Sequence, residues 1–392
     1  MRVLIVNRMI GTLLGGGETF DLGVARNLTK IGHNVTVVTA RPLFSGPKLS
    51  YSDLNIIYLP TIDLHFLEAR SRRNSQKLGS VWRYLDRYIF ERRVFSWLSR
   101  RSSYYDIIQC CSMIWLPRWI ATYLKVPVII WLPGPPSRLM QRILPILISY
   151  QYVGLFCHGD PVKILENQLS FVQGADFEVI EPGIDFELVQ AYASQRGKIR
   201  VELGVPPETV VGVTVARLVP IKNIPFLIRG LEIVVHELGM PVVWFFIGDG
   251  PERSFLEHLI LVRKLQDHIR WLGQMPQSEV HRILSGADIF ALTSSYENFS
   301  IATLEAMAHR LPIVATDVGY LKTIVRESGG GILVSPGNVE DLAQAIARLV
   351  NDPDYRRQLG ENGRFYAQQF AWPNIIAKLL QFYERVRTGR PL

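Results

Sequence analysis

Short, almost continuous apolar runs alternate with stretches of helical periodicity along the chain. In the first half the runs are VLIVN (3–7), NVTVVTA (34–40), NIIYLP (55–60), YDIIQC (105–110), VPVIIWL (126–132), YVGLFC (152–157) and FEVIEPG (177–183). They are rich in β-branched residues and nearly unbroken, so they predict strands of a parallel sheet covered by helices on both faces. After the polar stretch SQRGKIRVELGVPPET (194–209) the alternation begins again. Its runs are VVGVTVAR (210–217), PVVWFFIGDG (241–250), IRWLG (269–273), ADIFALTS (287–294), PIVATD (312–317) and GGILVS (330–335). Two successive doubly wound α/β domains are predicted, with the boundary near Gly183 to Gln190, and beyond Pro336 the pattern turns helical. Ligands of open sheets collect at the carboxyl ends of strands. Two such domains facing each other therefore predict a cleft, and motifs at strand ends take priority.

A chain of 392 residues accommodates two domains of about 180 to 200 residues, each with its own core. Apolar residues make up 48% and charged residues 20%, a soluble balance, and no stretch reaches the roughly 18 uninterrupted apolar residues of a spanning helix. The run ILPILISYQYVGLFC (143–157) is broken by Pro145 and Gln151 and reads as a helix end followed by a strand. The opening MRVLIVN is too short for the core of a secretion signal and reads as a first strand. Cys110, Cys111 and Cys157 form no even framework and no zinc-like spacing, so a reducing cytoplasm without metal ligation by these thiols is the simplest setting.

Four motifs stand where chemistry is expected. GTLLGGGETFDLGVARNL (11–28) is a glycine-rich loop opening a helix after the first strand. Gly15, Gly16 and Gly17 either form a tight turn or bring free N–H groups close to a phosphate or sugar hydroxyl. The spacing is neither a dinucleotide fingerprint nor a P-loop. ARLVPIKN (216–223) brings Arg217 and Lys222 to a strand end, where they read as solvated cations or as a grip on a diphosphate. FFIGDGPE (245–252) is a strand, a turn through Gly248, Asp249 and Gly250, and a helix predicted to open at Pro251.

The fourth motif, ENFSIATLE (297–305), places two carboxylates eight residues apart. With Ser300 as N-cap, Glu297 falls in the preceding loop and Glu305 in the second turn. The helix N-terminus between them offers N–H groups and partial positive charge. An elongated ligand with hydroxyls at both ends and phosphates between suits this layout, which is the description of a sugar nucleotide.

The ordered set GGGETF, ARLVPIKN, IGDGPE, ENFSIATLEAMAHRLPIVATDVG and FAWPNIIAKLLQFYERV resembles the large retaining GT-B glycosyltransferase family with the E-x7-E motif (family 4, group 1 type). The likeness runs over nearly the whole chain and is most specific in the E-x7-E block. It implies two Rossmann-like domains: an acceptor domain over 1–185, a nucleotide-sugar domain over 186–370, and a final helix, 371–392, returning to the first. It implies Glu297, Arg217 and Lys222 as catalytic residues, with Glu297 on the donor sugar and the two cations on the leaving diphosphate. Donor-binding residues implied are Gly16, Gly17, Gly248, Asn298, Phe299, Ser300, Ile301 and Glu305, the last on the ribose. No metal or other cofactor is implied, since cations and helix dipole supply the charge. The expected partners are a nucleotide-sugar donor and a glycan or lipid-linked acceptor in cell-envelope polysaccharide or glycolipid synthesis, with no nucleic acid.

Two positions depart from the family pattern. Pro133, in VIIWLPGPPSRL, stands where members often carry a His that contacts the donor sugar, and His158 ends the next strand instead. Pro133 therefore keeps open a non-catalytic homologue that binds a nucleotide sugar or a partner glycosyltransferase. Glu181, in EPGID, replaces an uncharged polar residue and is expected to be partly exposed, because a buried carboxylate needs a partner.

Residues 67–103 hold ten Arg or Lys against three acids and so carry +7 of the chain's net +8. Trp82, Leu85 and Ile89 follow helical spacing, which predicts an amphipathic helix. Cations beside aromatics suit an anionic bilayer surface, nucleic acid, or a solvated helix with its aromatics in the core. With a lipid-linked acceptor the first is the expected partner, and the protein would be cytoplasmic and peripheral to the membrane.

Overall fold

The computed structural model describes residues 1–10, 15–42, 51–61, 76–134, 136–148, 150, 152–159, 165 and 176–389. They form two compact units, Met1–Pro182 with Trp372–Leu392, and Gly183–Ala371.

The first unit is a seven-stranded parallel sheet of β1 (Arg2–Val6), β2 (Asn34–Pro42), β3 (Ile56–Thr61), β4 (Ile107–Cys111), β5 (Val128–Leu132), β6 (Val153–Cys157) and β7 (Asp176–Val179), in the order β3-β2-β1-β4-β5-β6-β7. The second is a six-stranded parallel sheet of β8 (Val210–Val215), β9 (Val242–Ile247), β10 (Ile269–Gly273), β11 (Ile289–Leu292), β12 (Ile313–Thr316) and β13 (Gly331–Val334), in the order β10-β9-β8-β11-β12-β13. Every apolar run of the sequence holds one of these strands. The interior strands β4, β5, β6, β9, β11 and β12 are buried at every residue, because crossover helices cover both faces. In each sheet the order reverses once, between β1 and β4 and between β8 and β11, and these switch points open crevices at the strand ends.

The Trp372–Thr388 helix belongs to the first unit. Trp372 lies over Gly23, where a Cβ would come within 2.0 Å of the indole, and Phe382 and Val386 press on Gly154. The phenol of Tyr383 donates to Gln109 Oε1 at 2.6 Å, and Gln109 Nε2 donates to Asp21 Oδ1 at 2.6 Å. Asn7 Nδ2 completes this buried chain at 2.7 Å from Asp21 Oδ2. Burial pushes the Asp21 carboxyl up to about 8 against these two amide bonds. The helix also pairs Lys378 with Glu181 at 3.4 Å and Arg385 with Glu178 at 3.0 Å. Glu181 is thus half-buried with a cation beside it, which offsets the desolvation that the sequence alone leaves unaccounted for.

The basic segment is only partly described. Arg70, Arg72 and Arg73, and the side chains of Lys77 and Arg83, lie outside the described residues. Over Gln76–Leu98 the chain is helical, but the predicted stripe is not the buried one. Leu85 is 42% exposed, while Phe90, Val94 and Leu98 enter the core together with the carboxylates of Asp86 and Glu91. Asp86 pairs with Arg8. Glu91 accepts from the backbone N–H groups of Ile114, Trp115 and Leu116 at the start of the Leu116–Trp119 helix. Hydropathy spacing misses this face because tertiary partners are what allow two acids to be buried.

Candidate active site

Within the second unit, the residues singled out by sequence gather at the carboxyl ends of β8 and β11, the strands on either side of its switch point. The loop after β8 turns through Pro220–Lys222 and ends on Asn223, which is left-handed at φ 48°. The loop after β11 is stitched to it: Ser295 N donates to Ile221 O at 2.8 Å, and Thr293 Oγ1 donates to Asn223 O at 3.2 Å. These bonds bring Lys222 Nζ to 2.5 Å from Glu297 Oε2, a mostly buried ion pair. Ser294 Oγ donates to the same oxygen at 3.3 Å.

Glu297 is held from its other side by Gly319. Tyr320 N donates to Glu297 O at 2.9 Å. Gly319 has φ +49°, and a Cβ there would lie 2.1 Å from that carbonyl, so only glycine permits the approach.

Ser300 is the N-cap of the Ile301–Ala308 helix, its hydroxyl accepting from Thr303 N at 3.2 Å. Phe299 is buried and stacked on Tyr320 with centroids 5.5 Å apart, and Asn298 and Ile301 are half-buried beside the cap. Glu305 is buried on this helix. It accepts from Gln277 Nε2 at 2.9 Å and lies 3.7 Å from His281 Nε2.

Gly248, at φ +132°, leaves room for Ala216 O, which would be 1.9 Å from a Cβ. The turn after β9 therefore presses on the loop that carries Arg217 and Lys222. The helix that follows is Arg253–Val262, two residues later than Pro251 predicts, and Glu252 N donates to Leu218 O at 3.1 Å. Arg217 is exposed and forms no ion pair with the described residues.

Gly16 and Gly17 belong to the first unit, where Gly16 opens the Gly16–Lys30 helix. A Cβ on Gly17 would be 3.4 Å from Pro133. Pro133 therefore offers an apolar ring at the place where an imidazole was sought. His158 is buried beside Trp131 and Phe20, and burial lowers its pKa to about 4.

The sequence reading missed Gln277, His281, Ser294 and Gly319. Gly319 ends ENFSIATLEAMAHRLPIVATDVG and Ser294 ends ADIFALTS, so both stand inside segments with a recognisable pattern. Gln277 and His281 lie on the Gln277–Gly286 helix, and nothing in their local sequence connects them to Glu305.

What this arrangement can do follows from its charges. A buried carboxylate held by an ammonium, an exposed guanidinium and a capped helix N-terminus together suit an anion bearing hydroxyl groups.

Residues 195–365 match the family model described as glycosyl transferases group 1. The D-inositol 3-phosphate glycosyltransferase of Nocardia farcinica is 30% identical over 226 residues, 55% of this chain and 49% of that protein. The enzyme of the same name from Saccharomonospora viridis is 32% identical over 213 residues, 52% and 49% of the two chains. The chain thus spans about half the length of these relatives. Among solved structures, sucrose-phosphate synthase of Thermosynechococcus elongatus superposes with a TM-score of 0.76 at 19% identity, over 99% of this chain and all of that one. HepE of Anabaena, solved with UDP-glucose, superposes at 0.72 and 19% identity, over 97% and 99% of the two chains. At such identities the structures establish the fold, which is GT-B. Residues 195–365, which contain the switch-point site, thus match the group 1 glycosyltransferase model, and the chain as a whole has the GT-B fold.

Proposed function

We propose that the protein transfers a sugar from a nucleoside diphosphate sugar to a glycan or lipid-linked acceptor with retention of anomeric configuration. The observation that carries this reading is the Lys222–Glu297 pair at the β8/β11 switch point, beside the Ser300-capped helix that bears Glu305. Glu305 takes the ribose hydroxyls and Glu297 the hydroxyls of the donor sugar, with Asn298, Phe299, Ser300 and Ile301 offering backbone contacts. Arg217 and Lys222 neutralise the diphosphate as it leaves. Fixed cations and a helix N-terminus suffice for that charge without a metal. The acceptor attacks the face that the leaving group vacates. Support comes from the group 1 family match and from neighbours of the same fold solved with UDP and UDP-glucose.

A thermal-shift screen against UDP-, GDP- and ADP-sugars tests the donor assignment. One donor is expected to raise the melting temperature in a concentration-dependent way, and Glu305→Ala should lose that shift while the ligand-free melting point stays within a few degrees. Shifts of equal size in wild type and variant would remove Glu305 from the site.

Pro133 favours a second reading, in which the chain binds a nucleotide sugar without turning it over. A donor-hydrolysis assay separates the two. Donor binding with no turnover under any acceptor would establish the second.

The membrane reading draws on a surface of the first unit. Tyr88, Arg92 and Phe95 share one helical face. Tyr88 meets Trp115 and Trp119 edge-on, and Phe95 meets Trp119 and Tyr123. Tyr123 is 70% exposed, and Arg92 and Arg118 are exposed beside these rings. Aromatics with cations at one surface suit an anionic bilayer, at about 1 kcal/mol per cation. Reversing both charges in Arg92→Glu/Arg118→Glu is expected to weaken sedimentation with phosphatidylglycerol vesicles about tenfold or more. Equal sedimentation with phosphatidylcholine vesicles would refute this reading.

A further inference from the structure

The second unit contains a cavity of about 460 Å³ whose lining includes Arg196, Arg310, Arg356, Arg357, Arg364 and His309. It is built at the edge of the sheet opposite the donor site, since it reaches Ala287 and Asp288, just before β11, whereas Glu297 follows the end of that strand. Asp288, the acid in its lining, is already engaged. Arg196 holds its Oδ1 at 2.5 Å and Arg200 its Oδ2 at 2.9 Å. Arg310 pairs with Glu361 at 2.7 Å, Arg357 with Asp354 at 3.1 Å, and Arg364 donates to Ala308 O at 2.7 Å. Each of these bonds uses one of the five N–H donors of its guanidinium. Burial and the neighbouring Arg310 lower the pKa of Arg364. Five arginines thus contribute to the lining of one cavity, Arg356 Nη1 donating to Leu349 O and Arg196 Nη1 also to Ala287 O; together they create a positive field and carry forks that match phosphate oxygens, in a volume typical of small-molecule sites.

Two helices run from this cavity to the donor side. On the Gln277–Gly286 helix, Gln277 holds Glu305, His281 lies one turn on, and Ser285 lines the cavity after another turn. The Ile301–Ala308 helix carries Glu305 one turn before His309. His281 Nδ1 and His309 Nε2 share a hydrogen bond of 2.9 Å. The other nitrogen of the fully buried His281, Nε2, has no hydrogen-bond partner among the described residues and points at Glu305 Oε1 from 3.7 Å. Burial, then His281 and Arg364, push the His309 pKa down to about 3, so this imidazole is neutral while the cavity is empty. An anion among the arginines would cancel the positive charge facing His309. That favours uptake of one proton from solvent by the His309–His281 pair: with both nitrogens of His309 protonated, its Nε2–H donates to His281 Nδ1 and the single His281 proton lies on Nε2, facing Glu305.

We propose that the arginine-lined cavity binds a multiply charged, phosphate-bearing anion, and that its occupancy is passed to Glu305 through His309 and His281. The coupling half rests on the donor-site reading of Glu305; the binding half does not.

Both halves are tested with inorganic phosphate as the probe. Binding is read from the ³¹P line width, and coupling from the calorimetric UDP affinity in phosphate against chloride of equal ionic strength. Wild type is compared with Arg310→Gln/Arg357→Gln, whose side chains are largely exposed, and with His309→Leu, which keeps the arginines. Phosphate should broaden with wild type and His309→Leu but not with the arginine variant. It should change the UDP Kd about fivefold in wild type alone. Equal broadening with all three proteins would overturn the site. A UDP shift of the same size in all three would mean that phosphate competes at the donor site, and would overturn the coupling. If phosphate binds as expected but UDP does not bind at all, the anion site stands, and the coupling falls together with the donor reading.

Discussion

Lys222→Ala is expected to lower kcat about 10²–10³-fold with the donor found by thermal shift, while the melting temperature moves by no more than a few degrees. Two effects add. The ammonium that would meet the departing diphosphate is lost, and that charge matters most in the transition state, so kcat falls more than KM rises. The partner is also set loose: Glu297 keeps Ser294 Oγ at 3.3 Å but loses the cation at 2.5 Å. A mostly buried carboxylate without its cation repels an incoming diphosphate. Lys222→Ala/Glu297→Gln should therefore bind the donor more tightly than Lys222→Ala alone while remaining as slow. Lys222→Arg restores charge but not a compact ammonium, so only part of the rate should return. A Lys222→Ala enzyme within threefold of wild-type kcat would remove Lys222 from the reaction.

Glu91→Ala is expected to destabilise the first unit by on the order of 3 kcal/mol, because three backbone N–H groups at the start of the Leu116–Trp119 helix lose their acceptor in a buried place. Glu91→Gln keeps one acceptor oxygen and should recover about half. Urea unfolding of the three proteins measures this, and a Glu91→Ala midpoint equal to wild type would refute it.

The same carboxylate gives stability a pH dependence of defined sign. Burial raises Glu91 to about 7 and Asp21 to about 8, so the folded protein holds these protons more tightly than the unfolded chain. Their contribution is complete below the ordinary carboxyl range and is lost as pH rises through 7 to 8. His158 and His309, lowered to about 4 and about 3, act in the opposite sense, but only below their ordinary value of 6.5. Above about pH 6.5 the carboxyls act alone, and the urea midpoint should fall steadily to about pH 8.5. A midpoint that is flat or rising over that range would contradict the buried-carboxyl account.

Several features of the fold were legible because they depend on neighbours in sequence. Apolar, β-branched runs of five to ten residues are satisfied as covered parallel strands, and each of the thirteen described strands overlaps one of them. Ser300 before an apolar helical stretch marked a cap, and the structure starts the helix there. Where the local signal misled, a long-range partner was responsible. The stripe Trp82, Leu85, Ile89 gave way to one that buries Asp86 and Glu91, since Arg8 lies 78 residues from Asp86 and the helix capped by Glu91 lies more than twenty residues on.

By itself the sequence determined two doubly wound sheets and a pair of acids flanking a helix start, because periodicity and capping are properties of adjacent residues. Only the tertiary structure decided that Lys222 meets Glu297 across 75 positions, and that Gln277 holds Glu305 with His281 close by. Those contacts depend on strand order, and the apolar pattern that makes a strand carries no record of which strand will lie beside it.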